Sequence, residues 1–315
     1  MKIHKNLESI EKINNPVLTT GTFDGVHLGH ISILNRLNDL SKECNGESVL
    51  FTFFPHPRMV LFPDDKNIKL LNTQPEKIKL LEKAGVKHLI VFPFTKEFSR
   101  FSALEYVRDI LVNKIGIKKL VIGYDHHFGR NREGNINNLN ELSSLYNFDV
   151  EEIPAQEIDN INISSTKIRT ALNEGKIEDA NKLLGYNYML NGIVVQGNKV
   201  GRSIGFPTAN IKIPDAYKLI PADGVYTVKV TVQKEIYYGM LNIGYKPTLK
   251  DNSTKSIEVN LFDFDKEIYD EIINIEFLRW HRNENKFNTL NELQQQLKDD
   301  KKQALNYLQT TGIHV

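Results

Sequence analysis

The chain has 315 residues, with 40 Lys and Arg against 39 Asp and Glu, for a formal net charge of +1. That balance excludes a global pull toward nucleic acid or a membrane, so any anion site must be local. Cys44 is the single cysteine, which excludes a disulfide framework and a cysteine zinc cluster.

The length suits about two domains. The opening MKIHKNLESIEKINN carries charges throughout and is not read as a secretory signal. No apolar run approaches the roughly 20 residues that span a bilayer. A soluble, cytoplasmic protein is expected, with neither nucleic-acid nor membrane partners.

In chain order, NPVLTTGTF reads as a strand. HISILNRLNDLSKE follows as a helix, with apolar residues at 31, 33, 34, 37 and 40. ESVLFTFFP is a second strand, and QPEKIKLLEKAG a helix that starts after Pro75 and stops at Gly85. VKHLIVFPF is a third strand. SALEYVRDILVNKIG is a helix with Ser102 as cap and Glu105 as its capping-box partner. KKLVIGYD is a fourth strand. Alternating strands and helices predict a parallel sheet covered on both faces, with ligands beyond the carboxyl ends of its strands.

The rhythm changes after KIEDANKLLGYNY. MLNGIVVQG, GVYTVKVTV, EIYYGMLNIG, SIEVNLFDF and EIINIEFL are short strand patterns separated by Gly, Pro and Asn. They predict a small antiparallel barrel. NTLNELQQQLKDDKKQALNYLQ closes the chain as an amphipathic helix. The expected domains are 1–184 and 185–315.

TTGTFDGVHLGH, residues 19 to 30, follows the first strand. A metal site on His27 and His30 lacks a third ligand with any signature beyond Asp24. An ordinary turn leaves Gly21, Gly25 and Gly29 unexplained. A phosphate site accounts for all of them: glycines allow close backbone approach, and a helix start offers free N–H groups and a positive dipole end. NISSTKIRTAL, residues 162 to 172, puts Ser164, Ser165 and Thr166 at another helix start, with Arg169 one turn beyond Thr166.

In the second half, GNKVGRSIGFPTANI has glycines at 197, 201 and 205. It reads either as a surface loop or as a loop that closes over phosphates. Thr208 and Asn210 share a strand face and offer neutral oxygens for Mg²⁺ or phosphate. Glu258 and Asn260 share one face of SIEVNLFDFD.

GTFDGVHLGH with ISSTKIR resembles the HxGH-type nucleotidyltransferases. GFPTANI, GVYTVKV, LNIGYKPT, SIEVNLFDFD and RNENKF are similar, in order, to riboflavin kinase. From about residue 15 to 310 the chain resembles the bacterial bifunctional riboflavin kinase/FAD synthetases. The resemblance implies a Rossmann-like N-terminal nucleotidyltransferase domain and a C-terminal β-barrel kinase domain. It implies ATP, riboflavin and FMN as substrates, FAD as product, Mg²⁺ with ATP, and a monomer or weak homo-oligomer.

By the same resemblance, Glu258 is the general base of the kinase, while His27, His30 and Arg169 stabilise charge in adenylyl transfer. ATP and phosphate contacts fall to Gly21, Phe23, Asp24, Gly29, Ser164, Ser165, Thr166, Gly201, Gly205, Thr208 and Asn210, with metal at Thr208 and Asn210. Asp125, Arg282 and Glu284 lie by the flavin, and PHPR at 55 to 58 borders the nucleotidyltransferase pocket. The chain departs from the family pattern at His126-His127 (usually Phe-Arg), Asn260 (often His) and Tyr269-Asp270 (usually Tyr-Gly). The alternatives are a kinase with a nucleotide-binding but weakly active first module, and a flavin-binding sensor without turnover.

Overall fold

The computed structural model describes every residue except Ser9, Lys66, Asp125, 155–162, 198–200, Arg202, Ser203, 246–254 and 314–315. The chain divides into two compact units, Met1–Ser165 and Thr166–Val315.

The first unit is built on a six-stranded sheet: β1 (Lys2–His4), β2 (Pro16–Thr20), β3 (Glu47–Phe53), β4 (His88–Phe92), β5 (Lys119–Gly123) and β6 (Asp149–Ile153). The order is β1-β4-β3-β2-β5-β6, and every pairing is parallel. β2 is central, and the strand order reverses between it and β5. Parallel sheets bind ligands at such a reversal, and TTGTFDGVHLGH leaves β2 there.

Helix α1 (Leu28–Glu43) buries Leu34, Leu37 and Leu40 on one face of the sheet, against Val17, Leu50, Leu89 and Val121. The predicted apolar face is the packed one. The opposite face is covered by α4, a helix that starts at Ala103–Glu105 and continues as a π-helix over Tyr106–Ile115. Its Val107, Ile110 and Leu111 pack with Leu18, Phe51 and Leu120. The Ser102–Glu105 capping box is present, and Gly116 ends the helix in the left-handed region at φ 71°.

Several elements differ from expectation. The helix expected after Pro75 is α3 (Gln74–Lys83), which starts earlier because Thr73 caps it in a box with Glu76. The short α2 (Pro57–Leu61) and α5 (Ile136–Tyr146) were not foreseen. Nor were the edge strands β1 and β6, one only three residues long and the other the acidic DVEEI.

In the second unit, α6 (Ser165–Asn173, whose first residue closes unit one) and α7 (Ile177–Leu184) precede a closed antiparallel barrel. Its strands are β7 (Met189–Val195), β8 (Ala209–Lys212), β9 (Gly224–Val232), β10 (Glu235–Tyr245), β11 (Lys255–Leu261) and β12 (Ile272–Arg282), ordered β10-β11-β8-β7-β12-β9. The division by contacts falls at Ser165/Thr166, whereas the expected domain join at 184/185 lies just after α7. The reason is local: Asn181 of α7 donates to the Phe277 carbonyl of β12 at 2.8 Å and accepts from Tyr188 N at 2.7 Å. The terminal helix α8 (Leu290–Thr310) packs Ala304 and Leu308 against Phe206, Met240 and Phe262.

Candidate active sites

In the first unit the site begins where β2 ends. The turn Gly21–Val26 is unusual in its backbone. Phe23 and Val26 hold φ values of 47° and 37°, and Gly25 one of 94°. Positive φ is costly for a β-branched residue, and it persists only where the surroundings hold it. Here Phe23 and Val26 are buried. The Asp24 carboxylate, also buried, accepts from the backbone N–H groups of Leu71 (3.0 Å) and Asn72 (3.3 Å). The Thr22 carbonyl accepts from Thr52 Oγ1 at 3.3 Å and from Lys77 Nζ at 3.1 Å.

His27 is the N-cap of α1, its Nδ1 accepting from the His30 N–H at 3.3 Å. The two imidazoles stack with centroids 3.7 Å apart, and Phe23 lies 4.6 Å from His30 on centroids. Burial, then the neighbouring His27 and Lys77, hold the His30 pKa well below its usual value. His30 Nδ1 is out of solvent contact and has no hydrogen-bond partner among the described residues.

Ser165 Oγ donates to the Asp24 carbonyl at 2.9 Å. This bond joins the two separate motifs, SST and GTFDGVHLGH. Thr166 and Arg169 belong by their contacts to the second unit, on α6, the former exposed and the latter half-buried. His56 of PHPR caps α2, with Nδ1 accepting from Arg58 N at 3.2 Å. Asp125 lies outside the described residues. His126 stacks on Phe128 at 5.9 Å.

In the barrel, β11 runs beside β8 with Glu258 opposite Asn210. Thr208 Oγ1 donates to Glu258 Oε2 at 3.3 Å, so Thr208, Asn210 and Glu258 converge. Asn260, buried, donates to the Pro207 carbonyl at 2.7 Å and fixes the segment that presents Thr208. Gly201 is required because a Cβ there would lie 2.2 Å from the Phe206 carbonyl oxygen. Gly205 takes φ 84° in open space. A cavity of about 300 Å³ opens beside Thr208, lined also by Pro207, Ala209, Leu261, Ile268 and Tyr269. Asp270 sits at φ 62°, the left-handed conformation that the usual glycine would adopt freely.

The two residues carried over from RNENKF are placed differently from each other. Glu284 accepts from Tyr245 N at 3.3 Å, at the end of β10. Arg282 makes a bidentate pair with Asp300 of α8 (Nε–Oδ1 2.8 Å, Nη2–Oδ2 2.6 Å), and its Nη1 donates to the Asn283 carbonyl at 2.9 Å. Its donors therefore tie β12 to the terminal helix.

Three residues with structural parts in these sites were missed: Lys77, Asn260 in its clamping role, and Asp300. Lys77 and Asp300 look like exposed charges in helical sequence. For Lys77 the available signal was its helical spacing from Leu80 and Leu81, which places it toward the packed face.

The family model for FAD synthetase matches residues 9–167, and the model for riboflavin kinase matches residues 184–308. The chain belongs to the bifunctional riboflavin kinase/FMN adenylyltransferase family. A member from Listeria monocytogenes is 40% identical over 91% of this chain and 90% of its own. Members from Bacillus subtilis and Escherichia coli K12 are 38% and 34% identical, covering 92% and 94% of this chain and 92% and 93% of theirs. A crystal structure described as a macrolide-efflux protein from Streptococcus pneumoniae aligns with a TM-score of 0.88 at 32% identity, over 96% of this chain and 98% of that one. Among the described residues, no helix is long and apolar enough to cross a membrane.

Proposed function

We propose that this chain phosphorylates riboflavin to FMN in its barrel and adenylylates FMN to FAD at the end of β2. The observation that carries the reading is the Thr208–Glu258 contact opposite Asn210. It assembles the kinase motif from separate stretches of sequence, in a chain whose other half joins its own two motifs through Ser165 and Asp24.

In the kinase step the Glu258 carboxylate takes the proton of the ribityl 5′-hydroxyl as that oxygen attacks the γ-phosphorus. The bond to the bridging oxygen breaks and ADP leaves. Few protein groups are needed, because phosphoryl transfer rests on positioning and electrostatics. Thr208, Asn210 and Glu258 offer hydroxyl, amide and carboxylate oxygens, the hard donors that Mg²⁺ takes. That donor set suits Mg²⁺ brought with ATP: Thr208 and Asn210 would hold it, and it would offset phosphate charge there. Gly201 and Gly205 let the loop approach the phosphates. Glu284 lies toward the flavin, and Arg282 serves it as a positioning residue through Asp300.

In the second step a phosphate oxygen of FMN attacks the α-phosphorus of another ATP, and pyrophosphate leaves. FMN brings its own nucleophile, so no covalent enzyme intermediate is required. His27 and His30 donate to phosphate oxygens as charge develops. Gly21 and Phe23 shape the turn that admits them, and Gly29, on the first turn of α1, leaves room between the two histidines. Asp24 acts by holding that turn. Ser164, Ser165, Thr166 and Arg169 complete the phosphate contacts, and Asp125 belongs to the flavin or adenosine side. The functional domains are 1–184 and 185–315, and the protein works in the cytoplasm as a monomer or weak homo-oligomer.

The test supplies riboflavin and FMN separately, each with Mg-ATP. The parent protein converts both to FAD. FMN accumulating from riboflavin, with no FAD at any pH, would replace this reading with a kinase carrying a nucleotide-binding module, the outcome that His126-His127 in place of Phe-Arg would explain.

A further inference from the structure

Lys77 is the least expected group near the first site. It lies on the first turns of α3, yet only 8% of it is exposed. Burying an ammonium is costly unless its donors are satisfied. An ammonium has three N–H donors. Among the described residues the Lys77 group makes a single hydrogen bond, to the neutral Thr22 carbonyl at 3.1 Å. Among the described residues, no carboxylate pairs with it within salt-bridge distance. Asp24 acts on it only through its field, and the Asp24 oxygens are engaged by the backbone of Leu71 and Asn72. Desolvation outweighs that field and brings the Lys77 pKa down to about 8.

A second observation points the same way. His30 Nδ1, whose ring feels the Lys77 charge, is buried with no hydrogen-bond partner among the described residues. Gln74, one turn before Lys77 on the same helix face, has a buried amide nitrogen that also lacks one. Among the described residues, Lys77, its helix-face neighbour Gln74, and His30, which the Lys77 charge reaches, are short of hydrogen-bond partners, and one of them is a cation. An incoming anion with several acceptor oxygens would satisfy that deficit.

We propose that Lys77 is a substrate-contacting residue of the adenylyl-transfer site, its ammonium donating to polyphosphate oxygens of ATP while it holds the Thr22 carbonyl. The inference rests on the reading of this site as an FMN adenylyltransferase. It gives the charged leaving pyrophosphate a buried counter-charge, and it accounts for a buried lysine that the described residues compensate poorly. Lys77 is neutralised in part above pH 8, so its contact weakens there. The groups that face it are Asp24 from the turn, and His30 and, through His30, His27 from α1.

The experiment is steady-state kinetics on the full chain, with FMN adenylylation and riboflavin phosphorylation measured on the same preparation. A charge-assisted hydrogen bond lost from a buried site corresponds to about tenfold or more. Lys77→Met should raise the KM for ATP in FAD formation by about that factor and leave riboflavin phosphorylation unchanged. Lys77→Arg should recover part of the loss. A folded Lys77→Met protein with parental KM and kcat in FAD formation would overturn the proposal. If that variant does not fold, the parent decides: its KM for ATP in FAD formation should rise as pH increases through 8, and a flat profile overturns the proposal. His30→Ala separates the two levels of inference. Loss of FAD formation there, with none in Lys77→Met, removes only Lys77; unimpaired FAD formation in His30→Ala removes the adenylyltransferase reading itself.

Discussion

Asp300→Ala should destabilise the barrel unit sharply. The Asp300 side chain is 1% exposed and the Arg282 side chain 20% exposed. The carboxylate also accepts from Gln296 Nε2 at 2.9 Å. Removing one partner of a buried ion pair costs about 3–5 kcal/mol, because the other charge is left without compensation. One-fifth exposure lets water reach the guanidinium, which places the expected loss at the lower end, about 3 kcal/mol. For a unit of this size that corresponds to roughly 6–12 °C in Tm. Thermal unfolding followed by circular dichroism reads it directly. Asp39→Ala is the control: its Lys42 partner is exposed, and the pair should contribute less than about 1 kcal/mol. The double change Arg282→Met with Asp300→Leu should regain most of the loss, since apolar groups of similar volume replace such pairs at little cost. A Tm for Asp300→Ala within about 2 °C of the parent would refute the reasoning.

His30 supplies a pH test. Its pKa lies below 6.5 in the native state, so the unfolded chain binds a proton that the native site refuses. Stability from this source is complete above about pH 6.5 and is lost as pH falls below it, by at most about 1.4 kcal/mol per pH unit. Urea unfolding at pH 7.5 and 5.5 should show a larger acid loss for the parent than for His30→Asn; equal losses would contradict the burial argument. Asp24→Asn keeps the shape but weakens the bonds from Leu71 and Asn72, and should cost about 1–3 kcal/mol. In an activity assay the same change should lower FAD formation and spare riboflavin phosphorylation; an equal fall in both would argue against its local role.

The architecture was legible wherever periodicity was strong. Leu34, Leu37 and Leu40 announced the buried face of α1, and Ser102 with Glu105 announced a helix start that the structure contains. β6 was missed because DVEEI at a sheet edge needs no apolar alternation. α5 was missed although Ile136 and Leu139 are spaced for one helix face, because its many Asn and Ser residues favour turns as readily as helices. The glycines and histidines of the first motif stood out because those residue types suit phosphate handling, whereas Glu258 came only with the family resemblance. Lys77 and Asp300 escaped notice because burial, and not residue type, makes them matter. Helical spacing put Lys77 toward the packed face, but whether a charge there is buried depends on what packs above it, which local spacing does not encode. Arg282 shows the converse: its motif was recognised, but its guanidinium is held by Asp300, 18 residues further along.

The most direct test of the account is product analysis of Glu258→Gln with the two flavin substrates supplied in turn. With riboflavin and Mg-ATP the variant should form neither FMN nor FAD. With FMN and Mg-ATP it should form FAD at the parental rate. Loss of both activities in a folded variant would contradict the assignment of two separate sites, and undiminished FMN formation would contradict the role of Glu258.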